Sequence, residues 1–526
     1  MAQEVQKQKN RPMLEGFIKA VERGGNKLPH PVTLFTILAA LILVLSFIFA
    51  KMGTSVTYTT VTAEGAKETT VTVVNLLSKA QLQSFAIDFV NTYIRFFPIG
   101  IVVVMMLGVS IAEKAGLITA VMKKLVAGAP PYLVTFIVAL VGICANLASD
   151  AGIVFAPAIG GAVFFALRRH PLAGMFAGYV AAYGGFSANM LIAGTDALLA
   201  GITQSAVSSF HITAPVHPLM NWYVMAGSSL MLALIVTIVT EKIITPILGE
   251  FNPVDPEMKA QRNALTEFTV TESELKGMKA AGLATLAFIA AMAFLMVPEG
   301  AFFRADNGDL LPSSPFTKSI LTILFAFFAV VGIAYGKAAG TIKSGSDVAK
   351  YMQSGLVGVA GFLVVCLPAA MFVTWFGKSN MSIILAVKGA QILQAFNLDG
   401  IPLILMFVVL CALMNLFITS GTTKWMILAP IFVPMFAMMA ISPAATQMAY
   451  RIGDSTTNII SPVSAYIPVM LGMMERYRSE GQEIGIGTVI SLTLPYSIIL
   501  FISWTIFFGF WLYMGWPMGP GVSTFL

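Results

Sequence analysis

Charged side chains are scarce in this chain. Asp, Glu, Lys and Arg supply 11% of its 526 residues, against about 25% in an ordinary soluble domain. Apolar residues supply 57%, and the mean hydropathy is +0.84. That shortage excludes a soluble globular protein, so lipid solvates most of the chain. Cysteine is scarce too: Cys144, Cys366 and Cys411 all fall inside apolar runs, which leaves neither a disulfide framework nor a zinc site. The four histidines sit at segment edges and read as solvated. There is no H-E-x-x-H, no Walker loop and no G-x-S-x-G, so zinc, ATP and elbow-serine chemistry lack their minimal sequence. Neither an enzyme nor a cofactor is expected. The net charge of +6 comes from basic residues concentrated in connectors, which speaks for membrane topology and against nucleic-acid binding.

What the chain has is long apolar runs. About 20 residues cross a bilayer as a helix. Nine segments qualify: 31–50, 97–116, 172–208, 222–246, 277–297, 318–337, 356–375, 444–474 and 487–514. The first is too long for a cleaved leader and is expected to stay as an anchor. Two pairs of shorter runs, 131–147 with 151–167 and 401–419 with 425–441, each surround a polar tip and read as re-entrant hairpins. The predicted fold is therefore an all-α polytopic membrane protein with about nine transmembrane helices, two re-entrant hairpins and an inverted-topology repeat. Its parts are a segment 1–30, a first membrane half 31–248 with hairpin 131–167 and broken helix 172–208, and a charged linker 249–275. A second half, 276–526, contains hairpin 401–441 and broken helix 444–474. Alternating β-branched residues around Glu64-Gly65 predict a small β-hairpin within 55–75, to which no chemistry is assigned.

Lys7, Lys9, Arg11, Lys19, Arg23 and Lys27 precede the first span, and Lys123, Lys124, Arg168, Arg169, Lys259, Arg262, Arg476 and Arg478 fall in later connectors. The positive-inside rule puts these on the cytoplasmic face, with the N-terminus. The two hairpins then enter from opposite sides, as an inverted repeat requires.

Polar residues interrupt the apolar segments in corresponding places. The hairpin tips read Asn146-Leu-Ala-Ser149-Asp150 and Ser420-Gly421-Thr422. About thirty residues after each comes a second break, Gly185-Phe-Ser187-Ala-Asn189 and Asp454-Ser-Thr456-Thr-Asn458. Paired breaks of this kind point to a secondary-transporter site at the bilayer midplane. Unwound carbonyls and hydroxyls at helix ends coordinate small cations, so Asn146, Ser149 and Asp150 are candidate ligands for Na+. Helix N-termini hold carboxylates. Single Ser, Thr and Gly residues also serve as packing contacts in membrane helices, and it is the paired arrangement that favours function.

Ionised groups inside a bilayer are costly and need a partner or water. Arg451 and Asp454 stand one turn apart and are expected to meet, either in simple neutralisation or with Asp454 steadying Arg451 as it grips a substrate carboxylate. Asp196 has no sequence-local partner and is the candidate coupling-ion ligand or proton carrier. Trp425 is read as a stacking surface for an aromatic ligand or as an ordinary packed residue. Lys424 is left open.

Over essentially its whole length the chain resembles the aminobenzoyl-glutamate transporter (AbgT) family. The resemblance is carried by Val21-Glu-Arg-Gly-Gly-Asn26-Lys27-Leu-Pro29-His30-Pro31, Asn146-Leu-Ala-Ser-Asp150-Ala-Gly, Ala193-Gly-Thr-Asp196, Lys424-Trp425 before Ala429-Pro430, and Tyr450-Arg451-Ile-Gly-Asp454-Ser-Thr-Thr-Asn458-Ile-Ile-Ser-Pro462. The second tip also looks like the Ser-Asn-Thr tips of sodium-coupled dicarboxylate transporters, with Gly421 at the Asn position. The resemblance implies a homodimer in a bacterial inner membrane, with a scaffold and a moving transport part. It places Asp196, Trp425, Arg451, Asp454 and Pro462 around the substrate path, which Asn189, Ser420, Gly421, Thr422 and Asn458 would share. It also implies uptake of p-aminobenzoyl-glutamate or efflux of sulfonamide antimetabolites, coupled to Na+ or H+. A channel is the remote alternative, since broken re-entrant helices also build selectivity filters.

Overall fold

A computed structural model describes residues 29–526 except 63–64, 128–129, 131, 149, 210–211, 252–269, 311–313, 463 and 480–483. Residues 1–28 of the expected N-terminal segment and most of the expected linker therefore lie outside the described residues.

Helix α1 (Pro31–Lys51) begins with Pro at its first position, where the missing N–H costs nothing, and His30 caps it through Nδ1. The Thr-rich stretch that follows forms β1 (Ser55–Thr62) and β2 (Gly65–Thr72), paired antiparallel from Ser55 opposite Thr72 to Thr62 opposite Gly65. Then come α2 (Lys79–Ile94), α3 (Phe97–Lys114) and α4 (Leu117–Ala127). The first expected hairpin contains α5 (Val134–Cys144), a 3-10 turn over Ala145–Ala148, and α6 (Asp150–Ala166). The first broken segment is α7 (Pro171–Tyr179), a π turn over Val180–Gly184, an irregular stretch, and α8 (Gly194–Ser209). Helix α9 (Trp222–Val239) closes the first half.

The second half holds α10 (Glu272–Met296), α11 (Ile320–Ala339), the 34-residue α12 (Gly345–Lys378) and α13 (Met381–Ala395). Next are α14 (Gly400–Asn415), α15 (Gly421–Ala437), α16 (Pro443–Asn458), α17 (Ile467–Arg476) and α18 (Ile486–Tyr513).

Seven stretches among the described residues are helical, long and apolar enough to cross a bilayer: α1, α2 with α3, α9 with its extension to Leu248, α10, α11, Val359–Lys378 of α12, and α18. The protein is a polytopic helical membrane protein. The two remaining segments of the nine-span reading are the broken ones, and neither is a continuous helix. Helices α13 and α14 meet at 114°. The sequence reading does not anticipate α2, α4 or α13.

Packing divides the molecule. Ile111, Ala281, Val331 and Tyr335 belong to a small core joining α3, α10 and α11. A much larger core gathers the hairpins, the broken segments and α18. Helix α10 keeps Leu283, Leu286 and Phe294 exposed, which suits a lipid-facing surface. Helices α6 and α7 approach so closely that a methyl group on Gly174 would fall 2.2 Å from the carbonyl oxygen of Gly160. Only glycine permits that contact, and it fastens the first hairpin to the first broken segment. The second hairpin is opened out instead. Helix α14 packs mainly on α16, and α15 mainly on α8 and α13.

Two histidines depart from the solvated reading. His170 and His217 are buried, and burial pushes the His170 imidazole down to about 4.

Candidate functional site

Helix α16 decides where the site lies. All its residues are buried, yet it carries Thr446, Gln447, Arg451, Asp454, Ser455, Thr456, Thr457 and Asn458. A buried polar helix is tolerated only where each group finds a partner or a cavity. Its start is conventional: Ser442 accepts from the Ala445 N–H at 3.2 Å and Pro443 occupies the first turn.

One face of α16 borders a cavity of about 360 Å³. Tyr450, Arg451, Asp454 and Asn458 line it from α16, and Thr419, Ser420, Gly421 and Thr422 from the tip that opens α15. Thr195, Leu198 and Leu199 come from α8. Tyr183, Phe186 and Ser187 come from the first break, Ala465 and Tyr466 from the turn after α16, and Ile153 from α6. Both hairpins and both broken segments thus meet at one space. Ser420 caps α15, its Oγ accepting from the Thr423 N–H at 3.3 Å, and Gly421 and Thr422 of the helix's first turn line the cavity.

The charges pair differently from the sequence expectation. Arg451 does not bond its neighbour Asp454. It donates through Nη2 to Asp196 Oδ1, across from α16 to the first turn of α8, and Asp196 Oδ2 also accepts the Ala193 N–H at 2.7 Å. Asp196 therefore has a partner, although a distant one in sequence. Asp454 is paired with Lys424, Nζ to Oδ1 at 2.5 Å, and Lys424 is 0% exposed. The Lys424 ammonium also donates to Asn415 Oδ1. The Asn415 amide reaches on to Thr457 Oγ1 and Asn458 Oδ1, each at 2.9 Å. Arg451 and Asp454 share one face of α16, about 60° apart, but each is taken by a charge from another element: Arg451 by Asp196 of α8, Asp454 by Lys424 of α15.

Trp425 is not a cavity surface. It is fully buried, its ring stacks on Tyr450 at 4.6 Å, and its Nε1–H donates to Thr203 Oγ1 at 2.9 Å. Gln447 donates to the same hydroxyl at 2.8 Å, and Thr203 passes its own proton to the Leu199 carbonyl. One hydroxyl on α8 thus fixes α15 and α16 together. Tyr450 gives its hydroxyl proton to the Gly421 carbonyl.

Of the predicted site residues, Ser420, Gly421, Thr422, Arg451, Asp454 and Asn458 lie on the cavity wall. Asp196 stands behind it, through Arg451. Asn189 and Pro462 lie off the wall; Asn189 is buried, and its Oδ1 accepts from the Leu191 N–H. Asn146 is buried in the 3-10 turn and donates to the Ile143 carbonyl at 3.0 Å. Its Oδ1 finds no hydrogen-bond partner among the described residues. Ser149 and the side chain of Asp150 lie outside the described residues. Sequence reasoning missed Tyr183, Phe186, Tyr450 and Tyr466, whose aromatic character is unremarkable in an apolar chain. It also missed Asn415, five residues before Ser420. Among the described residues no cluster of His, Cys, Asp and Glu is placed to hold a metal ion.

Comparison with known proteins adds identity to this geometry. The model of the AbgT putative transporter family matches residues 16–526. The chain belongs to that family. It is 37% identical over 502 residues to the p-aminobenzoyl-glutamate transport protein of Escherichia coli (strain K12), covering 95% of this chain and 96% of that protein. Two solved structures share its fold. The YdaH transporter of Alcanivorax borkumensis, whose report describes an unusual topology, aligns with a TM-score of 0.84 at 35% identity, over 94% of this chain and all of that one. MtrF of Neisseria gonorrhoeae, described as illuminating a class of antimetabolite efflux pumps, aligns with a TM-score of 0.90 at 39% identity, over 96% and 100%. As an AbgT family member the protein is a membrane transporter, not an enzyme.

Proposed function

We propose that this transporter moves p-aminobenzoyl-glutamate or a related aromatic carboxylate, driven by an ion gradient across a bacterial inner membrane. The observation that carries the reading is the buried Arg451–Asp196 pair beside the cavity. An incoming carboxylate takes Asp196's place on the Arg451 guanidinium. Asp196, left without its counter-charge in a poorly solvated site, then takes up a proton. Substrate and proton are thereby coupled by competition for one arginine. Sodium is the alternative coupling ion, supported by the unsatisfied Asn146 Oδ1 at the first tip. The N-terminus faces the cytoplasm in this reading, and two copies form a homodimer.

Efflux of antimetabolite drugs such as sulfonamides is the second reading, favoured by the 39% identity to MtrF. A secondary carrier's direction follows its gradients, so one site serves both.

The test is uptake of labelled p-aminobenzoyl-glutamate into proteoliposomes, with sodium and pH gradients imposed separately. Accumulation under one gradient supports uptake and names the ion. No accumulation under either, together with sulfonamide counterflow, replaces uptake by efflux. Unchanged affinity in Arg451→Ala rejects the carboxylate role.

A further inference from the structure

With Trp425 sealed away, the ring of an aromatic ligand needs another surface. Four aromatic residues line the cavity: Tyr183, Phe186, Tyr450 and Tyr466. Tyr450 is already engaged, its ring against Trp425 and its hydroxyl on the Gly421 carbonyl. The other three come from the two breaks. Tyr183 sits in the π turn, Phe186 just beyond it, and Tyr466 at the start of α17. Such π turns recur at functional sites because they re-aim side chains out of helical register.

Tyr183 and Tyr466 meet edge to face, with centroids 5.0 Å apart and planes at 69°. Ser464 holds the pair: its hydroxyl donates to Tyr183 Oη at 3.1 Å and accepts the Tyr466 N–H at 3.3 Å. Tyr183 is nearly buried, whereas Phe186 and Tyr466 are half-buried at the cavity. One ring is thus a fixed backing, and two present apolar surface to whatever enters.

We propose that Phe186 and Tyr466, backed by Tyr183, form the ring subsite. It selects ligands in which a carboxylate for Arg451 is joined through a short linker to a flat aromatic amide. This rests on the carboxylate reading of Arg451 given above. The aromatic contact is pre-organised, since Tyr183 fixes Tyr466 before any ligand arrives, and pre-organised contacts lose little to ordering.

The test is calorimetric binding to the full-length protein in nanodiscs, with three probes. These are p-aminobenzoyl-glutamate, N-acetylglutamate (the same amide and carboxylates without the ring), and sulfanilamide (a ring without carboxylates). Tyr466→Ala and Phe186→Ala are expected to weaken p-aminobenzoyl-glutamate and sulfanilamide by about three- to tenfold, leaving N-acetylglutamate unchanged. Tyr466→Phe, which keeps the ring, retains wild-type affinity. Equal losses for ring-bearing and ring-free probes, or no loss, overturn the subsite. Where an alanine variant does not fold, Phe186→Leu gives the same comparison with apolar volume preserved. Wild-type protein that binds neither carboxylate probe overturns the functional reading together with the subsite. Wild-type binding of the carboxylate probes, with variants that lose nothing or lose equally on all probes, overturns the subsite alone.

Discussion

Asp196 and Arg451, 255 positions apart, form a buried ion pair that joins the first turn of α8 to the middle of α16. One residue comes from each half of the chain, and both belong to the elements that enclose the cavity. Breaking the pair changes the contact between the halves as well as the charge in the site.

Asp196→Asn preserves shape but leaves Arg451 without a counter-ion. Uphill accumulation driven by a pH gradient is expected to fall about 5- to 150-fold, the range for losing a coupling free energy of about 1–3 kcal/mol. Counterflow exchange should persist. Both are read in proteoliposomes, and accumulation at the wild-type level would remove Asp196 from the coupling step.

Lys424 and Asp454 lend themselves to a double-mutant cycle. Lys424→Met alone strands a buried carboxylate and is expected to cost about 3–5 kcal/mol. Adding Asp454→Asn should recover much of that loss, because no uncompensated charge remains. Thermal unfolding in detergent checks the cycle, and strictly additive losses would show that the two side chains do not interact.

Thr203→Val removes the acceptor shared by Trp425 and Gln447. Two buried donors are left unsatisfied, at about 1–3 kcal/mol each. A clear fall in unfolding temperature is expected, with Thr203→Ser close to wild type. Equal stability of the Val and Ser variants would show that the hydroxyl carries no such role.

Gly421→Ala tests the tip. A methyl group there would lie 3.0 Å from Asp454 Oδ2, tight enough that the carboxylate must shift. Substrate affinity is expected to drop severalfold, on the order of 1 kcal/mol, while the amount of folded protein stays unchanged. Wild-type affinity would show that the Asp454 position is not critical.

The parts of this molecule legible in its sequence were those fixed by composition and local spacing. Apolar runs locate α1, α9, α11 and α18, the Thr-rich alternation locates β1 and β2, and the second tip and second break mark residues that gather at the cavity. Long-range pairing was not legible. Arg451 and Asp454 look like partners at one-turn spacing, but each finds a charge of opposite sign on another element, Asp196 on α8 and Lys424 on α15. Trp425 looked like a ligand contact because it follows a tip motif, and its burial depends on Thr203, far away in the first half. Helices α2 and α13 escaped notice because Gln81, Asp88, Lys388 and Gln391 dilute their apolar content.

The matched charges of the cavity also bear on how the protein responds to voltage. Among the described residues, Lys424 and Arg451 are each balanced by a carboxylate, so these four side chains together carry no net charge for the membrane potential to act upon. A single unbalanced charge crossing the full field would be worth about 2.3 kcal/mol per 100 mV. The return of the empty carrier is therefore expected to be indifferent to membrane potential, and capacitive current recorded without substrate on a solid-supported membrane would contradict it. Any dependence on potential would then enter only with the cargo.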